Sequence, residues 1–203
     1  MPLIRNLNKN ISLNHFQIIE NEMLYGPGKR LVLTYQGCSL HCYGCINKHL
    51  WPFNARNMIN IQTILNIIKN NKLDGVTLYG GEPLDQAHNT LVLVNTIKII
   101  DKTVILFTGY DFKELNNVQK KIWDASDIVI SGRFILAQKK LNLQFRGSTN
   151  QKIYLHKGKY KNYKIKDGVC STVFTIHSNG EIIINGFLTN DIIKLFDTSK
   201  IKK

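Results

Sequence analysis

The chain has 203 residues, 43% of them hydrophobic and 20% charged, which suits one globular core with a small appendage. No run reaches the roughly 18 uninterrupted apolar residues of a membrane helix, and the start MPLIRNLNKNISLNHF lacks an apolar core of signal-peptide length, so a cytoplasmic protein is expected. The net charge of +13 argues weakly for nucleic acid, because 22 of the 27 basic residues are lysines spread along the chain, gathering only slightly at Lys157–Lys166 and Lys200–Lys203.

In chain order, residues 1–20 read as a lead-in with one short strand at Phe16–Ile19. The turn-rich Tyr25-Gly26-Pro27-Gly28-Lys29-Arg30 precedes a buried strand, Leu31–Tyr35, and a cysteine-bearing loop follows it directly. Apolar residues at 61, 64, 65 and 68 predict a helix over Ile61–Asn70. Strand Gly75–Tyr79 runs into Gly80-Gly81-Glu82-Pro83, helix Leu91–Ile100 follows, and strand Thr103–Thr108 ends at Gly109-Tyr110. A helix over Phe112–Asp124 and a strand at Ile128–Ser131 complete the alternation, which predicts an α/β fold with a parallel sheet. Ligands of such sheets gather at the carboxyl ends of strands, so the turns after these strands are expected to share one rim. Beyond Ile135 lie a polar connection, a short strand at Ile153–Leu155, and a Lys-, Tyr- and Gly-rich stretch at 157–168 that reads as a linker or exposed loop. Val173–Ile176 and Ile182–Ile184 flank Ser178-Asn179-Gly180, a hairpin signal, and Asp191–Phe196 reads as a short helix. The expected division is a core at 1–155 and a C-terminal extension with a β-hairpin at 156–203.

The stretch Gly37–Trp51, GCSLHCYGCINKHLW, carries Cys38, Cys42 and Cys45. In a reducing compartment such cysteines are metal ligands or catalytic groups rather than disulfides. A 4Fe–4S cluster usually takes four thiolates, so three close together leave one iron open to a small molecule. A Cys3His zinc site completed by His41 or His49 is the competing reading, but no second ligand pair appears. A redox pair of Cys42 and Cys45 leaves Cys38 unexplained. Cys170 sits in an apolar run and reads as an inert buried thiol.

The Cys-x3-Cys-x2-Cys spacing, with Gly80-Gly81-Glu82-Pro83 after the next predicted strand, resembles the radical S-adenosylmethionine superfamily. Gly26-Pro27-Gly28-x-Arg30, Cys42-x-Gly44-Cys45-x-Asn47, Trp51, Thr108-Gly109-Tyr110, Gly132-Arg133-Phe134 and Phe145-Arg146-Gly147-Ser148-x-Asn150-Gln151 narrow the resemblance to the activating proteins of anaerobic, glycyl-radical ribonucleotide reductases. It covers about residues 22–155. The resemblance implies a partial (β/α) barrel, here with a small C-terminal β-hairpin appendage. It also implies one 4Fe–4S cluster on Cys38, Cys42 and Cys45, and S-adenosylmethionine chelated by the open iron. Reductive cleavage would give a 5′-deoxyadenosyl radical that takes hydrogen from a glycine of the reductase, with a flavodoxin or ferredoxin as electron donor.

Expected cofactor-binding residues are Gly80, Gly81, Glu82, Pro83, Thr108, Tyr110 and Ser131; the glycines allow close backbone approach and Glu82 could orient an ammonium. Arg146, Asn150 and Gln151 are candidates for ordering the cofactor or the partner's loop, or for closing the sheet edge. Arg30 reads as a contact to the cofactor or cluster loop, or as a surface charge. Trp51 is expected to pack the cysteine loop, His41 to shield the cluster or face solvent, and His156 and His177 to be structural or exposed. Two departures stand out: Ser131 occupies a place that is usually acidic in these activases, and the chain continues past their usual end near 155. They keep open a radical enzyme acting on a peptide or small metabolite, and behind it a non-enzymatic iron–sulfur or zinc protein.

Overall fold

A computed structural model of the chain describes residues 11–55, 57–156, 158–168, 172–176 and 182–186. The first strand, β1 (Ser12–Glu22), is longer than its apolar signal at Phe16–Ile19, because it pairs antiparallel on both sides. Its partners are β2 (Arg30–Tyr35) and β3 (Asn57–Asn60). The strand β3 escaped the sequence reading because Ile59 is its only buried residue. Then come α1 (Ile61–Asn70), β4 (Gly75–Gly80), α2 (Ala87–Ile99), β5 (Thr103–Thr108), α3 (Asn117–Ala125), β6 (Ile128–Ser131) and β7 (Lys152–Leu155). The seven strands form one sheet in the order β3-β1-β2-β4-β5-β6-β7. Strands β2, β4, β5 and β6 run parallel, and β7 returns antiparallel on β6. The expected α/β fold is therefore present, as an open mixed sheet.

Local chemistry sets the helix limits. Asn60 caps α1 by accepting from the Gln62 N–H at 2.7 Å. The predicted helix Phe112–Asp124 is instead a 3-10 turn at Phe112–Glu114 followed by α3. Asn116 and Gln119 form a capping box that starts a new helix there, so the two cannot be continuous. Helix α2 begins four residues before its expected start, directly after the 3-10 turn Pro83–Gln86.

Strand alternation divides the sheet into two faces. Leu31, Leu33, Val76, Leu78, Val104, Leu106 and Val129 join the helix residues Ile61, Ile64, Ile68, Leu93, Ile97 and Ile122 in the main core. Each fully buried Leu or Ile there contributes roughly 1.5–3 kcal/mol. A smaller apolar cluster contains Ile105, Ile128, Ile130 and Tyr160, with Phe107, Phe145 and Tyr163 packed against it. The stretch 158–168 is thus not the exposed linker its composition suggested: Tyr160 is buried against the sheet. The hairpin strands β8 (Thr172–Ile176) and β9 (Ile182–Gly186) pair antiparallel with Phe174 opposite Ile184. The expected turn at Ser178–Gly180, the helix Asp191–Phe196, Cys170, His177 and Lys200–Lys203 lie outside the described residues. Among the described residues no helix is long and apolar enough to cross a membrane.

Arg30 is neither a surface charge nor a contact of the cysteine loop. It is fully buried. Its Nε donates to Thr77 Oγ1 at 2.8 Å and its Nη2 to the Val76 and Thr103 carbonyls at 2.6 and 3.1 Å. Its Nη1 donates to Thr103 Oγ1 at 2.9 Å and to the Pro27 carbonyl at 3.2 Å. A planar five-donor fork suits this cluster of neutral oxygens, which no lysine could satisfy at once. Burial pulls its pKa down to about 10, leaving it charged at neutral pH. Arg30→Met should leave these acceptors without donors and cost about 3 kcal/mol. Urea unfolding measures this, and a loss below about 1 kcal/mol would mean the clamp is dispensable.

Candidate functional site

The cysteine loop leaves β2 and is strapped at both ends. The Gly37 N–H donates to the Leu50 carbonyl at 2.8 Å and the Cys38 N–H to the Trp51 carbonyl at 3.1 Å. The His41 ring lies 4.7 Å from the Trp51 ring, so this pair packs the outside of the loop. Within it, the Cys45 N–H donates to the Cys42 carbonyl at 3.1 Å, and the Asn47 N–H donates to Cys45 Sγ at 3.4 Å. All three cysteines are free. Burial pushes the Cys38 thiol up to about 11 and raises Cys42.

The turn after β4 is pressed onto this loop. The Glu82 N–H donates to the Gly37 carbonyl at 2.9 Å and the Gly81 N–H to the Tyr35 carbonyl at 3.0 Å. A Cβ on Gly81 would stand 2.2 Å from the Gly37 carbonyl oxygen, and one on Gly80 2.5 Å from Thr34 Cγ2. The two glycines are therefore required by the protein's own packing, and not only by the approach of a ligand. The Glu82 carboxylate is 1% exposed and fully engaged. It accepts from the Leu84 N–H at 2.9 Å, the Thr108 hydroxyl at 2.9 Å and the Gly109 N–H at 2.8 Å. Burial nevertheless pushes its carboxyl up to about 7, against the pull of those donors.

A cavity of about 580 Å³ opens over the sheet face that the helices leave free, within the size range of cofactor pockets. Cys38, Cys42 and Cys45 line it together with Gly80, Gly81, Glu82 and Thr108. Its floor is aromatic: Tyr25, Tyr79 and Phe107 line it, with Tyr79 4.8 Å from Tyr25 and 5.2 Å from Phe107, ring to ring. Arg146 and Gln151 also line it.

Pro83, Tyr110, Ser131 and Asn150 are not among the lining residues. Alternation explains Ser131, because Ile130 and Gly132 take the cavity face and leave Ser131 on the other. Its hydroxyl donates to the Tyr110 carbonyl at 2.9 Å. Thr108 has the same parity, which is why its hydroxyl meets Glu82. The Tyr110 hydroxyl lies 2.9 Å from Ser39 Oγ and donates to Asp85 at 3.1 Å. Asp85 in turn accepts from the Ser39 N–H at 2.7 Å, tying the cysteine loop to the Pro83–Gln86 turn. Gln151 accepts from the Gly147 N–H at 2.8 Å and donates to the Gly132 carbonyl at 2.9 Å. Asn150 donates to the Arg133 carbonyl at 2.8 Å, and Arg146 forms an ion pair with Asp167. His156 Nδ1 meets the Ser126 carbonyl at 2.7 Å, a structural contact.

Sequence reasoning missed Tyr25, Asn47, Tyr79, Phe107, Tyr163 and Lys166 as lining residues. Tyr79 and Phe107 were readable: each stands two residues before a cavity-facing glycine, Gly81 or Gly109, on the same face of its strand. Lys166 carried no comparable signal.

The family model described as a 4Fe-4S single cluster domain matches residues 24–154. The anaerobic ribonucleoside-triphosphate reductase-activating protein of Haemophilus influenzae is 33% identical over 154 residues, 71% of this chain and 99% of that protein. The protein of the same name from Escherichia coli K12 is 30% identical over 151 residues, 70% of this chain and 98% of that protein. That of phage T4 is 32% identical over 153 residues, 70% and 94% respectively. Among solved structures, the crystal structure of QueE from Escherichia coli matches with a TM-score of 0.43 at 15% identity, covering 52% of this chain and 56% of that one.

Two outcomes are expected from the Gly81–Glu82 turn. Gly81→Ala should displace the Gly37 backbone, lowering both the melting temperature and the iron bound per chain after anaerobic reconstitution; normal iron loading would show that the loop tolerates the shift. Glu82 has a folded pKa above its ordinary 4.5, so the unfolded chain ionises it more readily. Its effect is that stability of the metal-free protein falls as pH rises between about 4.5 and 7, then levels off. Urea midpoints across that range should lose this slope in Glu82→Gln; an unchanged slope would assign it to another group.

Proposed function

Since the chain belongs to the 4Fe-4S single-cluster family of anaerobic ribonucleoside-triphosphate reductase-activating proteins, we infer that it is a radical S-adenosylmethionine enzyme that installs a glycyl radical on such a reductase. One observation carries this reading: the three cysteines and the Gly80-Gly81-Glu82 turn, 35 or more residues apart in sequence, line the same cavity.

The residues fit the cofactors. Three thiols on one loop supply soft ligands of the kind iron–sulfur clusters take. Burial disfavours the bare thiolates of Cys38 and Cys42, and a cationic iron centre would reverse that preference. Among the described residues no three His, Cys, Asp or Glu side chains converge to hold a single metal ion. Cys38, Cys42 and Cys45 would hold the cluster, and the Asn47 N–H on Cys45 Sγ would steady one ligand. The backbone of Gly80, Gly81 and Glu82 would face the amino group of S-adenosylmethionine, over the aromatic floor of Tyr25, Tyr79 and Phe107. When bound, the cluster would supply the one electron needed for reductive cleavage of the sulfonium, the radical chemistry by which a hydrogen atom would be taken from the reductase's glycine.

The remaining rim residues act on the protein itself. Glu82, Thr108 and the Gly109 N–H lock the β4 and β5 ends together. Tyr110 and Asp85 hold Ser39 beside Cys38. Ser131 fixes the Tyr110 backbone, and Pro83 begins the 3-10 turn that presents Asp85. The helix-covered outer face and the cavity on the opposite face support a partial (β/α) barrel of the radical S-adenosylmethionine type. The proposed core extends past residue 155 to include 158–168, with the hairpin as the appendage. A cytoplasmic setting, where thiols stay reduced, and a flavodoxin or ferredoxin as electron donor complete the reading.

Anaerobic reconstitution followed by dithionite and S-adenosylmethionine should yield 5′-deoxyadenosine, and adding the organism's anaerobic reductase should produce a glycyl-radical signal by electron spin resonance. Cys42→Ala should lose both the iron and the cleavage. A fully loaded wild-type protein that makes no 5′-deoxyadenosine would overturn the proposed function.

A further inference from the structure

Residues 145–150 border the cavity and are neither relaxed nor fully paired. Phe145 has a φ of 63°, a left-handed backbone that bulky side chains rarely adopt. Two of the three buried polar side-chain atoms that lack a hydrogen-bond partner among the described residues follow directly, Arg146 Nε and Asn150 Oδ1. Burying a polar atom unpaired costs free energy, so each such atom calls for an explanation. Backbone strain also gathers where a segment binds or moves.

The loop touches the cysteine loop on one side. Asn150 donates to the Arg133 carbonyl at 2.8 Å and Gln151 to the Gly132 carbonyl at 2.9 Å. A Cβ on Gly147 would stand 3.2 Å from Phe134 Cδ2, and the Phe134 backbone hydrogen-bonds the Cys42 thiol. A short chain of contacts therefore runs from Cys42 through Phe134 to the neighbour of Arg146. On its other side the loop is held by residues past 154, where the family model ends. Asp167 pairs with Arg146 Nη2 and accepts from the Gln144 N–H at 2.9 Å. Phe145 stacks on Tyr163 at 6.2 Å, and the Gln144 amide donates to the Tyr163 hydroxyl at 3.0 Å. Tyr160 anchors this segment on the sheet through the Pro27 carbonyl at 3.1 Å.

Arg146 is the one guanidinium on the cavity lining. Its side chain is 17% exposed, whereas Lys139 and Lys166 on the same lining face solvent. Asp167 takes only Nη2, and the one carboxylate of the lining, Glu82, is already bonded to three donors. The folded chain thus offers Arg146 no second acceptor among the described residues. A planar fork fixed at one nitrogen keeps its other donors for an oxygen that arrives with a ligand.

We propose that Arg146 binds an oxygen of S-adenosylmethionine, and that Asp167, outside the region matched by the family model, is its positioning residue. This rests on the activase reading above. The contact chain to Cys42 puts the guanidinium on the cluster side of the cavity, where the cofactor lies in that reading. Because Nε is out of reach of solvent, binding includes a shift of the strained 145–150 loop. The other oxygen that could meet Arg146 is a peptide carbonyl of the reductase, and the test separates the two.

Full-length protein carrying Arg146→Met, Arg146→Lys, Asp167→Asn or Asp167→Glu is reconstituted anaerobically and left unreduced, so that no turnover occurs. Iron content and melting temperature are compared with wild type. The Kd for S-adenosylmethionine is measured by equilibrium dialysis, and that for the organism's anaerobic reductase by calorimetry without the cofactor. Arg146→Met should weaken cofactor binding about tenfold, Arg146→Lys less, and Asp167→Asn about threefold, with Asp167→Glu restoring it. Adding Asp167→Asn to Arg146→Met should weaken binding no further, because Asp167 acts through Arg146. Amide hydrogen exchange across 145–150 should slow on adding S-adenosylmethionine to wild type, and not in Arg146→Met. A cofactor Kd within about twofold of wild type in Arg146→Met overturns the proposal. So does a reductase Kd that shifts while the cofactor Kd stays, which would give Arg146 to the reductase. Changes confined to melting temperature and iron content also overturn it, since the Arg146–Asp167 pair would then be structural alone. Wild-type protein that binds no S-adenosylmethionine would overturn the activase reading itself, and this proposal with it.

Discussion

Two backbones in near contact, Gly37 and Gly81, hold the site together. The space between them leaves no room for a Cβ, and the Glu82 N–H bonds across it to the Gly37 carbonyl. This contact joins the cysteine loop after β2 to the turn after β4, and parallel pairing of the two strands makes it possible by ending both at the same level, Tyr35 beside Gly80. Thiols that would hold a cluster and the backbone that would hold its ligand are thus positioned by one sheet. A shift in either loop moves both halves of the chemistry.

Around that contact, polar side chains mostly serve the protein. Glu82, Thr108, Tyr110, Asp85 and Ser131 form a connected set of hydrogen bonds that ties the cysteine loop to β5 and β6. Each would cost free energy if buried unpaired, and each has a partner. A rigid frame of this kind keeps the reacting groups in place. The lining is mostly apolar, with thiols, glycines and the rings of Tyr25, Tyr79 and Phe107 beside the already occupied Glu82 and Thr108 and the basic Lys139, Arg146 and Lys166. Excluding water in this way suits a radical that must not be quenched before it meets its target. Arg30 does comparable work lower in the sheet, joining β2, β4 and β5 through neutral oxygens.

The parallel strands and helix α1 were legible because their signals are local: apolar runs of four to six residues, and a helical repeat capped by Asn60. Strand β3 was not, since Asn57–Asn60 has one buried residue and owes its form to pairing with β1. The break between the Phe112–Glu114 turn and α3 needed the capping box at Asn116 to be recognised in a stretch whose composition reads as one helix. At the site, the rim turns could be found from the strand ends. Which residues of each turn enter the cavity depended on strand parity, and that parity turns Ser131 away from the cavity that Ile130 and Gly132 line.

By itself the sequence determined the chemistry: three closely spaced thiols, a glycine pair before an acid, and strands that end where those motifs begin. These are properties of neighbouring residues, set by covalent spacing and local backbone preference. Tertiary structure decided what the cysteines share their cavity with. The bond from Ser39 to Asp85 spans 46 residues, and that from Tyr160 to Pro27 spans 133. Contacts at such separations exist only once the sheet has formed, because the chain entropy lost in closing so long a loop is recovered only by the burial that accompanies it. That is why Lys166, in a stretch whose composition reads as a linker, becomes part of the cavity wall only in the folded protein.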